Sequence, residues 1–367
     1  MRAALFTEVG SPLKVVDDIE LEEPRAGEVK VRVVACGVCH SDVSLVRGVY
    51  PAMGPTVPGH EAAGVVVETG PAVRSLAVGD HVVLTPNPAC GHCDYCSKGL
   101  FSVCPDAMAI ATSMLPDGTT RLSRSGETVF RGLGLAGWAE EVVVAEQGAV
   151  RIDPDVPLDV ACVIGCAVQT GVGAALNTVK VQPGDQVLVI GAGGVGVSIV
   201  QGAALAGATR VIVSDPSPAR RELALRFGAT DVVDPADSDV VAVTLALTGI
   251  GADYAFDAVG SARLVQSAMD ATRNGGTTIM VGAAPIDDVI AVSPVTTMFS
   301  EKRLVGSLLG SCWAPRDIPR LIELWRSGRL DLDAMVTARR PLEEINEAID
   351  DLDAGRGLRT VMMITPS

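Results

Sequence analysis

The sequence predicts an α/β protein in which a doubly wound parallel sheet follows a β-rich segment. Three observations predict it. Val-rich runs alternate with helical stretches from residue 186 to residue 308. A glycine-rich turn separates the first of those runs from its helix. Hydrophobic residues make up 48 % of the chain but aromatic residues only 3 %. Val, Ala, Leu and Ile must therefore fill the cores, as they do in buried parallel strands covered by Ala-rich helices.

The elements follow in order. Strands are expected at 29–35, 62–69, 81–85 and 141–145, all Val-heavy and punctuated by Gly, Pro and Asp. The rhythm changes near residue 168. Strands at 186–190, 210–214, 231–233, 253–257, 277–282 and 303–308 then alternate with helices at 194–206, 217–227, 238–247 and 262–272. Strands joined by helical crossovers imply the doubly wound sheet. Residues 293–302 are less regular. The tail reads as helix at 318–326 and 342–352, then a strand at 359–364. The expected division is 1–167, 168–308 and 309–367, with a cysteine lobe at 88–106. A length of 367 residues suits two domains.

Composition excludes several classes. The formal charge is −15, so nucleic-acid binding, which needs a basic surface, is not expected. The acidity serves solubility. The first residues, Met1 to Phe6, are too short for a signal-peptide core, and Glu8, Lys14, Asp17 and Asp18 follow. Residues 187–209 carry no formal charge, but they contain six glycines and divide into strand, turn and helix, so no membrane span is expected. A cytoplasmic location is the expectation. There, nine cysteines point to metal or catalysis rather than disulfides.

The first strand of the alternating region runs into Gly191-Ala-Gly193-Gly194-Val195-Gly196 and a helix. Gly191 permits the tight turn, Gly193 lets backbone approach a pyrophosphate, and Gly196 lets helix and strand pack closely. The helix N-terminus offers N–H groups to the phosphates. Asp215 ends the next strand, where a ribose-binding carboxylate is expected. It would accept bonds from the ribose hydroxyls and repel a 2′-phosphate, favouring NAD over NADP. Arg220 and Arg221 nearby could relax that preference, or simply begin a solvated helix.

Two sets of metal-ligand residues stand out. Cys90, Cys93, Cys96 and Cys104 fall within 15 residues, as C-x2-C-x2-C-x7-C. Four thiolates close a tetrahedral shell around zinc and leave no place for substrate, so this is a structural site. Disulfides are the rival reading, with no secretion signal to support them. His92 inside the loop is a spectator. The second set is scattered: Cys39, beside Cys36; His60-Glu61; and Cys166, beside Cys162. Spacing alone cannot join these. Cys36 with Cys39 could be a redox pair or two buried thiols, and Cys162 with Cys166 one face of a core helix.

Together the motifs resemble the zinc-dependent medium-chain alcohol dehydrogenases, most closely the liver-type branch. They are Gly37-Val-Cys39-His40-Ser41-Asp42, Gly59-His60-Glu61-Ala-Ala-Gly64, the four-cysteine lobe, Gly165-Cys166 with Thr170-Gly171, the glycine turn with Asp215, and Met114-Leu-Pro-Asp-Gly118. The likeness runs nearly end to end. It implies a chaperonin-10-like (GroES-like) catalytic domain interrupted by a Rossmann domain, and a homodimer or homotetramer. It implies two zinc ions per chain and NAD. By resemblance Cys39, His60 and Cys166 bind the catalytic zinc, Glu61 lies next to it, and Asp42 bonds the other nitrogen of His60. His40 and Arg359 fall where the family binds pyrophosphate, Arg220 beside the adenosine ribose, and Thr170, Val195, Val259 and Val281 near the nicotinamide half. Cys36, Cys162 and Cys312 match no ligand position and read as core thiols.

The implied reaction is reversible hydride transfer from a small-molecule alcohol to NAD, with Ser41 first to carry the proton. Many relatives place a histidine where Ser44 stands. Serine cannot act as a base near pH 7, so the proton must leave through water or another group. Substrate-pocket positions fall at Tyr50, Pro86, Met108, Gly132 and Leu133. Several relatives place bulky aromatics where Pro86 and Gly132 stand, so medium-chain or aromatic primary alcohols are expected to fit better than ethanol. The nearest alternative, an S-(hydroxymethyl)glutathione dehydrogenase, would use an Arg and an acidic residue where Ala107 and Tyr50 stand. A non-catalytic NAD- or zinc-binding sensor and a zinc-free quinone reductase are both disfavoured by the intact ligand set.

Overall fold

The structure is a computed structural model that describes residues 1–365. The chain forms two compact units. One comprises Met1–Cys166 and the chain from Trp313 onward, and the other Ala167–Cys312. The sequence placed the second boundary earlier, at 308/309. Leu309–Ser311 instead forms a short 3-10 turn, and the Cys312 thiol donates to the carbonyl of Gln169 at 3.4 Å, within the second unit.

The first unit is built on a seven-stranded sheet. Its order is Ala149–Ile152, His81–Leu84, Glu61–Thr69, Glu28–Gly37, Arg359–Met363, Val336–Pro341, with Glu141–Ala145 also paired to Glu28–Gly37. Glu28–Gly37 is the spine. Glu141–Ala145 pairs with its first half and Arg359–Met363 with its end. The long strand can serve several partners because it is a Val-rich run buried along nearly all its length. Its last residues lead directly to Cys39, and the neighbouring strand begins at Glu61, so the sheet brings both ligand segments to one end. Gly37 is paired with Glu61 across that end.

The second unit is the expected six-stranded parallel sheet. The strand order is Asp231–Val233, Arg210–Ser214, Gln186–Ile190, Ala252–Asp257, Thr272–Met280, Arg303–Gly306. In chain order this is 3-2-1-4-5-6, the Rossmann arrangement, which binds dinucleotides where the order reverses, beside Gln186–Ile190. Val187, Leu188 and Val189 are fully buried, which is why that strand reads as an unbroken apolar run. Residues 293–302, read as irregular, contain a helix at Pro294–Ser300 started by Pro294 and capped by the Ser293 hydroxyl.

Candidate functional site

The cysteine lobe is local. Cys93 caps the helix Asp94–Ser97, and the cysteines gather with Ala89, Ala107, Phe101 and Trp313 in a small core of their own. Phe101 stacks on Trp313 with ring centroids 5.2 Å apart. The sulfur separations are 3.6 Å for Cys90–Cys104, 3.8 Å for Cys93–Cys104 and 4.0 Å for Cys90–Cys96. A tetrahedral shell with Zn–S bonds of about 2.3 Å has edges of about 3.8 Å. Disulfide sulfurs would sit about 2.05 Å apart, so the rival reading fails. Backbone N–H groups of Cys90, Cys93 and Cys96 point at sulfurs of the set. The N–H of Cys96 is the main cause of a Cys93 thiol held down to about 7. The ring of His92 bonds the carbonyl of Cys90 and stays exposed.

The scattered set converges. Ligand atoms of Cys39, His60, Glu61 and Cys166 all lie within 4.8 Å of one another, and all four residues are buried. Each is placed by a distinct local device. Cys39 precedes the helix His40–Val46. His60 follows Gly59, which has φ +94° and passes so close to Trp138 that a side chain there would collide. Cys166 sits at the break between Cys162–Gly165 and Ala167–Gly173. A side chain at Gly37 would strike the Glu61 carboxylate, which explains the glycine in that motif. Asp42 joins two segments: Oδ1 accepts the Gly59 N–H at 2.9 Å, and Oδ2 lies 2.8 Å from His60 Nδ1. Nε2 is left for the cluster.

The electrostatics suit a cation. A hydrogen bond with Cys166 is the main cause holding the Cys39 thiol well below its ordinary range, with Arg359 and His60 adding to it against burial. Cys166 is pushed up in turn. Burial opposes protonation of His60, yet Asp42 and Cys39 hold its pKa well above the usual value. Burial raises Glu61 to about 7, although Arg359 pulls the other way. Two sulfurs and an imidazole nitrogen, buried together, fit zinc with a fourth position that either the Glu61 carboxylate or a substrate oxygen could take.

In the second unit, Gly191 has φ +94°, and a Cβ there would lie 2.6 Å from Val259 Cγ2. A Cβ on Gly196 would collide with the carbonyl of Gly191, so helix and strand meet backbone to backbone. Around Gly193 the space is open, as a pyrophosphate requires. Both oxygens of Asp215 are engaged: Oδ2 accepts the Ala192 N–H and Oδ1 the Ser217 N–H, each at 2.8 Å. Thr170 is buried, and its hydroxyl has no hydrogen-bond partner among the described residues. Val259 is exposed and Val195 and Val281 are partly exposed. Arg220 lies in the first turn of the helix Pro218–Arg226, its Nε without a hydrogen-bond partner among the described residues.

Residues 25–154 match the alcohol dehydrogenase GroES-like domain family, and residues 194–327 the zinc-binding dehydrogenase family. A protein of Synechocystis sp. named S-(hydroxymethyl)glutathione dehydrogenase is 37 % identical over 98 % of this chain and 99 % of its own. An alcohol dehydrogenase class-3 of Cereibacter sphaeroides is also 37 % identical, over 99 % of each chain. The chain belongs to the zinc-dependent medium-chain alcohol dehydrogenases. Its cofactors are zinc and NAD. Among solved structures, the benzyl alcohol dehydrogenase of Acinetobacter calcoaceticus superposes with a TM-score of 0.93 at 30 % identity, over 99 % of each chain. An alcohol dehydrogenase zinc-binding domain protein from Burkholderia ambifaria does so with 0.93 at 35 %, over 100 % of this chain and 99 % of its own.

The remaining expected site positions of this dehydrogenase fall as follows. Arg359, assigned by resemblance to pyrophosphate, is buried: Nη2 lies 3.3 Å from Glu61 Oε1 and 3.7 Å from Cys39 Sγ, and Nη1 donates to the Val38 carbonyl. Gly132 does not open pocket space. A Cβ there would lie 2.6 Å from the Cα of Pro58, so no side chain fits and the reasoning from a missing aromatic fails. Pro86 and Leu133 are buried, Tyr50 half-buried and Met108 exposed. Burial raises the Tyr50 phenol, which Ser44 hydrogen-bonds. Ser41 Oγ lies 3.9 Å from Cys39 Sγ, and His40 is exposed. Cys36 and Cys162 are buried thiols with pKa values raised by burial. Sequence reasoning passed over Arg131 entirely. It is buried, and no local pattern marks an arginine as buried.

Proposed function

We propose that this dehydrogenase oxidises primary medium-chain or aromatic alcohols reversibly to aldehydes, with NAD as acceptor. The single observation that carries it is the convergence of Cys39, His60 and Cys166 beside Ser41. These three residues would hold the catalytic zinc, with Glu61 as a fourth ligand when no substrate is present. Cys90, Cys93, Cys96 and Cys104 would hold the structural one. Zinc in the open site supplies a Lewis acid that lowers the pKa of an alcohol hydroxyl. Asp42 fixes the tautomer and basicity of His60. The Ser41 hydroxyl would accept the substrate proton while passing on its own, and because Ser44 is no base, that proton would leave through water or another group. Asp215 favours NAD over NADP.

The benzyl alcohol dehydrogenase among the similar structures supports the aromatic reading. The names of the curated relatives favour a second, S-(hydroxymethyl)glutathione. Against it, Ala107 is fully buried in the lobe core and Tyr50 carries no charge, so neither supplies an ionic grip on glutathione. No single helix among the described residues is long and apolar enough to cross a membrane, and the protein is proposed to work in the cytoplasm. It is proposed to be a homodimer or homotetramer. Arg303–Gly306 is the last strand of its sheet, paired on one side only among the described residues, and Ile286, Val289, Met298 and Phe299 are exposed near it in sequence.

The test is kcat/KM for a panel of alcohols with NAD and with NADP, alongside zinc analysis. The expected result is benzyl alcohol and hexanol above ethanol, NAD above NADP, and activity lost on chelation. Preference for S-(hydroxymethyl)glutathione would establish the second reading instead. Undiminished oxidation after zinc removal would sink both.

A further inference from the structure

Arg131 is 1 % exposed and makes no ion pair among the described residues. Burying a guanidinium without a counter-charge is costly. The carboxylates whose fields reach it are already taken. Both oxygens of Glu28 bond Arg121, and Asp117 pairs with Arg121 and Arg25. Burial brings the Arg131 pKa down to about 10, so it remains a cation at neutral pH. What it holds instead is backbone. Nε and Nη2 donate to the carbonyl of Gly134 at 3.2 and 3.1 Å, and Nη1 donates to that of Val143.

The backbone so held is strained. Leu133 has φ 51° and ψ 30°, Gly134 has φ 84° and Ala136 has φ 68°. A branched side chain in the left-handed region persists only when its surroundings over-determine it. Those surroundings are close. Gly132 abuts Pro58, and Gly134 abuts Ala109. The turn packs on the helix that carries Ser41. Just beyond it, Gly137 donates to the Gly59 carbonyl at 2.6 Å and Trp138 to that of Pro58 at 3.0 Å. The strained turn therefore lies between the helix of Ser41 and the loop of His60.

We propose that Arg131 is a positioning residue for alcohol selection: by gripping Gly134 and Val143 it holds Leu133 in its left-handed conformation as a wall of the alcohol site. This rests on the reading that alcohols are the substrates. The three hydrogen bonds offset the strain at Leu133, and the rigid turn sets how much room a substrate has beside the metal ligands.

The test uses the zinc-loaded enzyme with Arg131→Met, Arg131→Lys and Leu133→Gly, read by amide hydrogen exchange and by steady-state kinetics. In Arg131→Met, amides 132–136 exchange faster at unchanged zinc content. The ratio of kcat/KM for benzyl alcohol over ethanol falls about tenfold, a pocket-shape effect carried mainly by KM. Arg131→Lys recovers part of that ratio. Leu133→Gly, which relieves the strain while removing the wall, shows the altered ratio with exchange at 134–136 still slow. If Arg131→Met does not fold, Arg131→Lys is read in its place, with faster exchange at 132–136 and a smaller fall in the same ratio expected. Unchanged exchange overturns the clamp. An equal loss on every alcohol makes Arg131 structural and overturns selection. A wild type inactive on all alcohols sinks the functional reading and the selection role together, while exchange still decides on the clamp.

Discussion

The two cysteine centres of the first unit are built in opposite ways. The lobe draws four sulfurs from 15 consecutive residues, and its cysteines are bonded to one another's backbone N–H groups. Its geometry is nearly independent of the rest of the fold. The buried centre draws single residues from three distant segments. Gly59, Gly37, Asp42 and Arg359 surround it, each abutting or bonding a ligand residue or its neighbour. A closed shell can be made locally, whereas a shell with a free position has to be held open by its surroundings.

The comparison is most easily broken at a ligand. Cys39→Ser should abolish alcohol-dependent NADH formation and release one of two zinc ions, with the fold retained. Circular dichroism and metal analysis check this, and retained activity would mean that the buried cluster is not the reactive centre. Cys104→Ser should do the reverse. Thermal or denaturant unfolding should show a loss of more than about 4 kcal/mol, in the range seen when a structural metal is lost, while kcat per folded molecule changes little. Asp42→Asn should weaken zinc at the buried centre about 10- to 100-fold, because it acts on His60 from behind. Competition with a chelator measures that, and an unchanged affinity would show that His60 needs no such partner.

A pH experiment sharpens the contrast. Glu61 is raised from 4.5 to about 7 in the folded chain. Between those values the folded state binds more protons than the unfolded state, so stability must fall as pH rises through that window. At about 1.4 kcal/mol per pH unit the effect approaches about 3 kcal/mol in zinc-free protein. Glu61→Gln should flatten that part of the urea-unfolding profile. An identical slope in both proteins would mean that the carboxyl is not held neutral.

What the sequence made legible followed the same division. The lobe could be read from spacing alone, and the structure supplies sulfur distances that fit. The strands Gln186–Ile190 and Arg210–Ser214 end where the apolar runs end, because both faces are largely buried and the breaks are Gly or Asp, and the edge strand Asp231–Val233 likewise stops at an Asp. Cys39, His60 and Cys166 could be joined only through family likeness, since no spacing rule spans such distances. The strand Val336–Pro341 was missed. It lies at a sheet edge and carries Arg339 and Arg340, which pair with Asp159, Glu344 and Asp351, so its pattern is not apolar alternation. Gly132 was misjudged because a missing side chain reads the same whether it leaves a cavity or admits a neighbouring backbone.

Asp215 ties the ribose end of the cofactor turn to its phosphate end, since one carboxylate anchors both Ala192 and Ser217. Recasting this enzyme for NADP by removing that acid would therefore unlace the loop meant to cradle the diphosphate. Asp215→Ser should lose NAD affinity without gaining NADP in proportion, as titration of both coenzymes would reveal. Any successful exchange of coenzyme would have to supply new acceptors for two orphaned amides before it supplied a cation for the extra phosphate.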